Sequence, residues 1–314
     1  MRRQLWYEGP MRSRPLRYLL AAVSLAAAGT SRPVATEPLK VFVSIQPLAY
    51  LAERIAGEDA EVRVLVPPGK NYHTYEPTPG QVIALSASRL LFTVGVPFEK
   101  ALIPRVAATM PQVRIVDATQ DVTRRRMEAH VDEPRADVPP PTEENLDPHV
   151  WLAPAPLKIL ATNICQGLSA ARPEVAQVFS NRLAGLSAEI DATDALIRRA
   201  IAPLRGRKFY VFHPAFGYFA DAYGLKQEAI EMEGKSPSPR QLSDLIGHAR
   251  ADRVKLIVVQ PEFDTRYAQA VADAIGGRLL TLNPQAKDVI ATLRTICDGL
   301  VEVLGGGGNA ASER

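Results

Sequence analysis

Short apolar, β-branched runs alternate with stretches of helical periodicity, and they do so twice along the 314 residues of the chain. The first set of runs is LKVFVS (39–44), EVRVLV (61–66), LLFTV (90–94) and VRIV (113–116). Helices are expected among them near 47–57, 79–88 and 98–109. The second set is KFYVFH (208–213), QEAIEM (227–232), KLIVVQ (255–260) and RLLTL (278–282), with helices near 215–223, 239–251, 265–275 and 287–303. Strands separated by a helix are joined by crossovers, which build parallel sheets. The predicted fold class is therefore α/β. It has two similar lobes, each a mostly parallel four-stranded sheet with flanking helices.

A long helical stretch lies between the lobes. Pro173 suits a first turn. Val175, Val178, Phe179, Leu183, Leu186, Ile190, Ile197, Ile201 and Leu204 then recur close to the 3.6-residue period. A helix from 173 to 204 would be about 45–50 Å long, a stiff rod rather than a loose tether. The expected division is a lobe at 36–172, a linking helix at 173–205 and a second lobe at 206–304. The charged, proline-rich segment 119–146 is predicted to be an exposed loop, and the tail 305–314 to be disordered.

Residues 1–35 read as a leader. A basic start precedes the apolar run Tyr18–Ala28 and then small residues. The run is too short for a membrane span of about 20 residues and fits a secretory signal peptide. This segment holds six Arg and one Glu, so the remainder carries 31 basic and 33 acidic residues. The apparent basicity of the whole chain belongs to the leader and says nothing of an acidic partner. Aromatics are 6% of the chain, and no Lys/Arg run is interleaved with them, so nucleic-acid binding is not expected. Cys165 and Cys297 are expected as two buried thiols.

Five histidines are present, and three sit on strand-end or helix-entry loops. His73 follows EVRVLV after the turn PPGKN. His149 lies in DPHVWL, just before a helix that could start near Pro154. His213 ends KFYVFH. Parallel sheets gather ligands beyond the carboxyl ends of their strands, so the cleft between lobes is where these three can meet. Their spacing is too long for a compact zinc-finger motif. His130 in the charged segment and His248 beside Asp244 and Asp252 are expected at the surface. Tyr75 and Glu76 could orient His73 or could equally be surface residues.

PPGKNYHTYEPTP, DPHVWLAP and FHPAFGYFADAYGL together resemble the metal-specific solute-binding proteins of bacterial ABC transporters, the zinc and manganese uptake family. EMEGKSPSPRQLSDLI is similar to the segment that follows the third ligand in that family, and the resemblance runs from about Leu39 to about Leu304. It implies two lobes joined by a rigid helix, the cluster A-I type of solute-binding fold, with one metal ion held in the cleft by His73, His149 and His213. It further implies a periplasmic, monomeric carrier that delivers its ion to an ABC membrane permease with a cytoplasmic ATPase. Small lobe shifts, rather than a wide hinge closure, would accompany loading.

Imidazole donors suit zinc, whereas oxygen donors suit manganese. Manganese members of the family tend to replace the third histidine with a carboxylate, so His213 favours Zn2+ as cargo and leaves Mn2+ as the alternative. Affinity is expected to fall steeply below about pH 6, where ordinary imidazoles take up protons. The family usually adds a carboxylate as fourth ligand after the last strand. Here TLNPQAKD puts Asn283 in its place, leaving Asn283, Glu262 or water for that position. Three histidines and a water also describe a zinc hydrolase. However, no HExxH or GxSxG motif and no clear general base accompany them, so neither an enzyme nor a small organic substrate is expected.

Overall fold

The computed structural model describes residues 37–127, 146–230 and 239–305. The expected leader, His130 and the expected tail from 306 onward lie outside the described residues. Strands β1 (Leu39–Val43), β2 (Ala60–Val64), β3 (Leu90–Thr93) and β4 (Arg114–Asp117) form one four-stranded sheet, ordered β2-β1-β3-β4. Strands β5 (Lys208–Val211), β6 (Lys226–Ala229), β7 (Leu256–Val259) and β8 (Arg278–Thr281) form a second, ordered β6-β5-β7-β8. Every pairing is parallel: Val41 faces Val62 and Leu90 in the first sheet, and Val258 faces Val211 and Leu280 in the second. Both lobes thus repeat one topology, whose strand order reverses beside β1 and β5.

The helices fall where the periodicity places them: α1 (Gln46–Ala56), α2 (Pro79–Ser86), α3 (Glu99–Thr109), α4 (Pro154–Ala171), α5 (Ala176–Ile201), α6 (Gly217–Tyr223), α7 (Pro239–Ala251), α8 (Arg266–Ile275) and α9 (Val289–Gly305). The connecting rod is shorter than expected. Residues 173–175 and 202–204 are 3-10 turns, and the α-helix between them has 26 residues, about 39 Å. Pro203 gives the reason at its far end, since a proline there lacks the N–H for the next helical bond and its ring would strike the carbonyl four residues back. Phe179, Leu186, Ile190, Thr193, Ile197 and Ile201 form the buried face of α5, while Val178, although apolar, is 42% exposed.

The two faces of the second sheet have different partners. Successive side chains of a strand point to opposite faces. Phe209, Val211, Leu256 and Val258 belong to one continuous core that also contains β1, β3, α1, α4 and the buried face of α5. Tyr210, Phe212, Ile257 and Val259 pack instead with Leu245, Ala249, Ala268, Val271 and Ala272 of α7 and α8. A shared core therefore joins the lobes along with the rod. Cys165 and Cys297 are buried free thiols, as expected. The 119–146 segment begins less exposed than its composition implies: Thr119 and Val122 are buried, and Arg126 bridges Leu146 across the undescribed middle.

Candidate metal centre

Each of the three histidine loops is built by local chemistry. After β2, Pro67 accepts a backbone bond from Lys70 at 3.2 Å, closing a turn with Pro68 and Gly69 at its centre. Gly69 has φ +75°, which a type II turn requires at that position and which favours glycine. The Asn71 side chain then accepts from the His73 backbone N–H at 2.8 Å. Thr78 and Gln81 form a capping box at the start of α2, and Gln81 donates to the Leu65 carbonyl at 2.6 Å, tying the helix back to the end of β2.

DPHVWL resolves into a second device. The Asp147 carboxylate accepts both the backbone N–H of His149, at 2.9 Å, and its ring Nδ1–H, at 2.7 Å. Val150, Trp151 and Leu152 are fully buried, and Trp151 donates its indole N–H to the Pro284 carbonyl of the other lobe at 2.8 Å. The bulky pair thus anchors the His149 loop between lobes. At the end of β5, Gln260 donates to the His213 carbonyl at 2.9 Å, and the Phe263 ring stacks on the His213 imidazole with centroids 4.7 Å apart.

These loops bring the three imidazoles together. One ring nitrogen each from His73, His149 and His213 lies within 4.8 Å of the other two, and the Nε2 atoms of His73 and His213 are 3.1 Å apart. Donors around tetrahedral zinc at about 2.0–2.1 Å sit about 3.3 Å from one another, so the cluster already has nearly the size of such a polyhedron. Because Asp147 holds the Nδ1–H of His149, the lone pair of that ring is on Nε2, facing the cluster. His149 and Asp147 are fully buried, and His213 is 3% exposed.

Asp147 is itself held. Arg125 donates to its other oxygen at 3.1 Å and pairs with Asp221 of α6 at 3.0 Å, linking the His149 support to the second lobe. A Cβ on Gly217 would lie 1.3 Å from an Arg125 nitrogen, so only glycine leaves room for that guanidinium. Asp147 and Arg125 escaped the sequence reading. An acid two residues before a histidine was the available signal for the first, whereas the second comes from a loop 22 residues away.

The remaining candidates stand apart. Asn283 is exposed, and its side-chain oxygen accepts from the Gln285 backbone at 2.9 Å. Glu262 accepts from the Gln285 side chain at 2.6 Å. Glu262 lies outside the histidine group, although it is near enough to His213 to interact with it electrostatically. Glu262 and Asn283 line a cavity of about 250 Å³ with Gln46, Pro68, Gly69 and Lys287, opening between the loops that follow β1, β2, β7 and β8. Tyr75 donates to Gln81 at 2.7 Å and secures its loop, and Glu76 is exposed. His248 is half-buried on α7 rather than fully at the surface, because that helix packs closely on the outer face of its sheet.

Burial shifts the titration of two of the three rings. It lowers the pKa of His73 to about 2, with help from the neighbouring imidazoles His213 and His149. It also lowers that of His149, against the pull of Asp147. The expected steep loss of affinity below about pH 6 takes three ordinary imidazoles, and burial of His73 and His149 makes the expected dependence shallower. Protons compete weakly at two of the three rings, so zinc affinity between pH 7 and 5 should fall less steeply than about a thousandfold per unit, the limit for three ordinary histidines. Metal-free stability has the opposite sensitivity. Unfolded His73 binds a proton near pH 6.5 while folded His73 does not, so stability is complete above that pH and declines below it by about 1.4 kcal/mol per unit. Urea unfolding of the metal-free protein at pH 7 and 5 should differ by at least about 2 kcal/mol; equal stabilities would contradict the burial of a neutral His73.

Comparison with known proteins agrees on one kind of protein. The family model for ZnuA, zinc-uptake complex component A, periplasmic, matches residues 41–298. The high-affinity zinc uptake system protein ZnuA of Bacillus subtilis is 25% identical over 269 residues, covering 84% of each chain. The manganese ABC transporter substrate-binding lipoprotein PsaA of Streptococcus pneumoniae is 26% identical over 267 residues, covering 81% of this chain and 82% of its own. A crystal structure of ZnuA superposes with a TM-score of 0.78 at 31% identity, covering 85% of this chain and 99% of that one.

Proposed function

The chain belongs to the periplasmic zinc-uptake complex component A family, and on that premise we propose that His73, His149 and His213 together hold one Zn2+ in the cleft between the lobes. Members of this family are extracytoplasmic binding proteins of metal uptake, not enzymes, and they serve ABC transporters with a permease and an ATPase. The observation that carries the ligand assignment is the convergence of three ring nitrogens within 4.8 Å, drawn from loops of both lobes. Neutral, preoriented imidazoles are the form that binds zinc, and their all-nitrogen character favours zinc over manganese.

In this reading residues 1–35 are a secretory leader removed on export, residues 36–172 and 206–304 are the two lobes, and 173–205 is the link. The carrier acts as a monomer on its ion alone, with no nucleic acid and no small organic substrate. The continuous core that includes faces of both sheets and of α5 supports small loop shifts on loading over hinge closure. Solution scattering of the metal-free and zinc-loaded forms should give nearly equal radii of gyration; a large compaction on loading would remove that part of the reading.

Elemental analysis of protein purified without added metal tests the cargo. One zinc per chain is expected, and it should be lost when any of the three histidines is replaced by alanine. Manganese at full occupancy would instead favour the kind of carrier that PsaA is.

A further inference from the structure

We infer that the Tyr72 hydroxyl oxygen is the fourth donor to the captured ion, an assignment that rests on the three-histidine capture site proposed above. Tyr72 is the residue before His73 and is 1% exposed. Its ring lies against that of His73, with centroids 4.5 Å apart, and edge-on to His149 and Trp151 at 5.9 and 6.2 Å. Its hydroxyl donates a hydrogen bond to Nε2 of His149, the same nitrogen that belongs to the histidine group. The oxygen therefore sits where an ion approaching that lone pair must come.

An ion that takes Nε2 of His149 displaces this hydrogen bond. The freed oxygen remains beside the ion, within reach of a donor position around tetrahedral zinc. Three imidazoles supply no negative charge, and Asp147, the nearest support, already shares its charge with Arg125 at 3.1 Å. The Tyr72 hydroxyl adds an oxygen donor beside the three nitrogens, held in a buried position. The alternatives are engaged elsewhere: Glu262 and Asn283 both accept from Gln285, and Asn283 is exposed.

The test combines a structure with an affinity. The full chain is freed of metal by chelation, reloaded with Zn2+ and crystallised; wild type and Tyr72→Phe are titrated with Zn2+ against a chromophoric competitor. The oxygen is expected about 2 Å from the ion, and the phenylalanine variant should bind zinc about a hundredfold more weakly. A merely supporting tyrosine would not give the short zinc–oxygen distance. The inference is overturned if the fourth position holds water, Glu262 or Asn283 with the Tyr72 oxygen beyond bonding distance of the ion, or if Tyr72→Phe binds as tightly as wild type. In either of those cases one zinc per wild-type chain on the three histidines leaves the capture reading standing. Wild type that binds no zinc would remove both.

Discussion

Replacing His149 with alanine is expected to lower zinc affinity by about a thousandfold. Zinc held by four protein donors is worth about 10–16 kcal/mol at neutral pH, so one donor carries about 3–4 kcal/mol, or two to three powers of ten. His149 stands at the upper end because nothing nearby can replace it. It is fully buried, its tautomer is set by Asp147, and its Nε2 already faces the cluster. The alanine variant also removes the ring N–H that Asp147 accepts and the acceptor that Tyr72 uses, and opens a cavity between Tyr72 and Trp151. Competition titration measures the loss directly. His248→Ala, on the outer face of the second lobe, is the control and should bind as wild type. A loss below tenfold for His149→Ala would mean that the ion is held elsewhere.

The second large effect falls on stability. Trp151→Ala should destabilise the metal-free protein by about 3–5 kcal/mol, read as a lower urea midpoint, because a fully buried indole is exchanged for a cavity. Part of the loss is polar: the indole N–H bond to Pro284 crosses from one lobe to the other, and its removal leaves a buried carbonyl short of a donor. Trp151→Phe separates the contributions, since it keeps most of the apolar volume and should cost only the hydrogen bond and a smaller void. The alanine variant should also bind zinc more weakly, because the indole ring packs against His149 with centroids 5.4 Å apart and helps fix its loop. Unchanged stability in Trp151→Ala would show that the loop is held without the inter-lobe anchor.

The central strands β3 and β7 were legible because their residues are buried on both faces. The runs LLFTV and KLIVVQ are apolar through their centres, and crossover helices separate the strands, so all were predicted within a residue or two of their observed ends except β6, which stops three residues early. The ends of the connecting helix were less legible. Apolar periodicity runs through Val175 and Leu204, yet the backbone at 173–175 and 202–204 tightens into 3-10 turns, a choice that side-chain pattern does not encode. Periodicity likewise placed Val178 with the core, although the neighbouring elements leave it uncovered.

The amino-acid sequence by itself determined the repeated α/β pattern, the loops that carry His73, His149 and His213, and, through the resemblance those loops support, the kind of protein this is. Local forces act over a few residues, and proline, glycine and apolar spacing record them in order along the chain. Only the tertiary structure decided that the three rings share a centre a few ångströms across, that Arg125 and Asp147 support one of them, and that Tyr72 reaches His149. Apart from the Asp147–His149 contact, those relations join residues 22 to 140 positions apart. Their distances are set by how two sheets pack on a common core, and no short window of sequence contains that information.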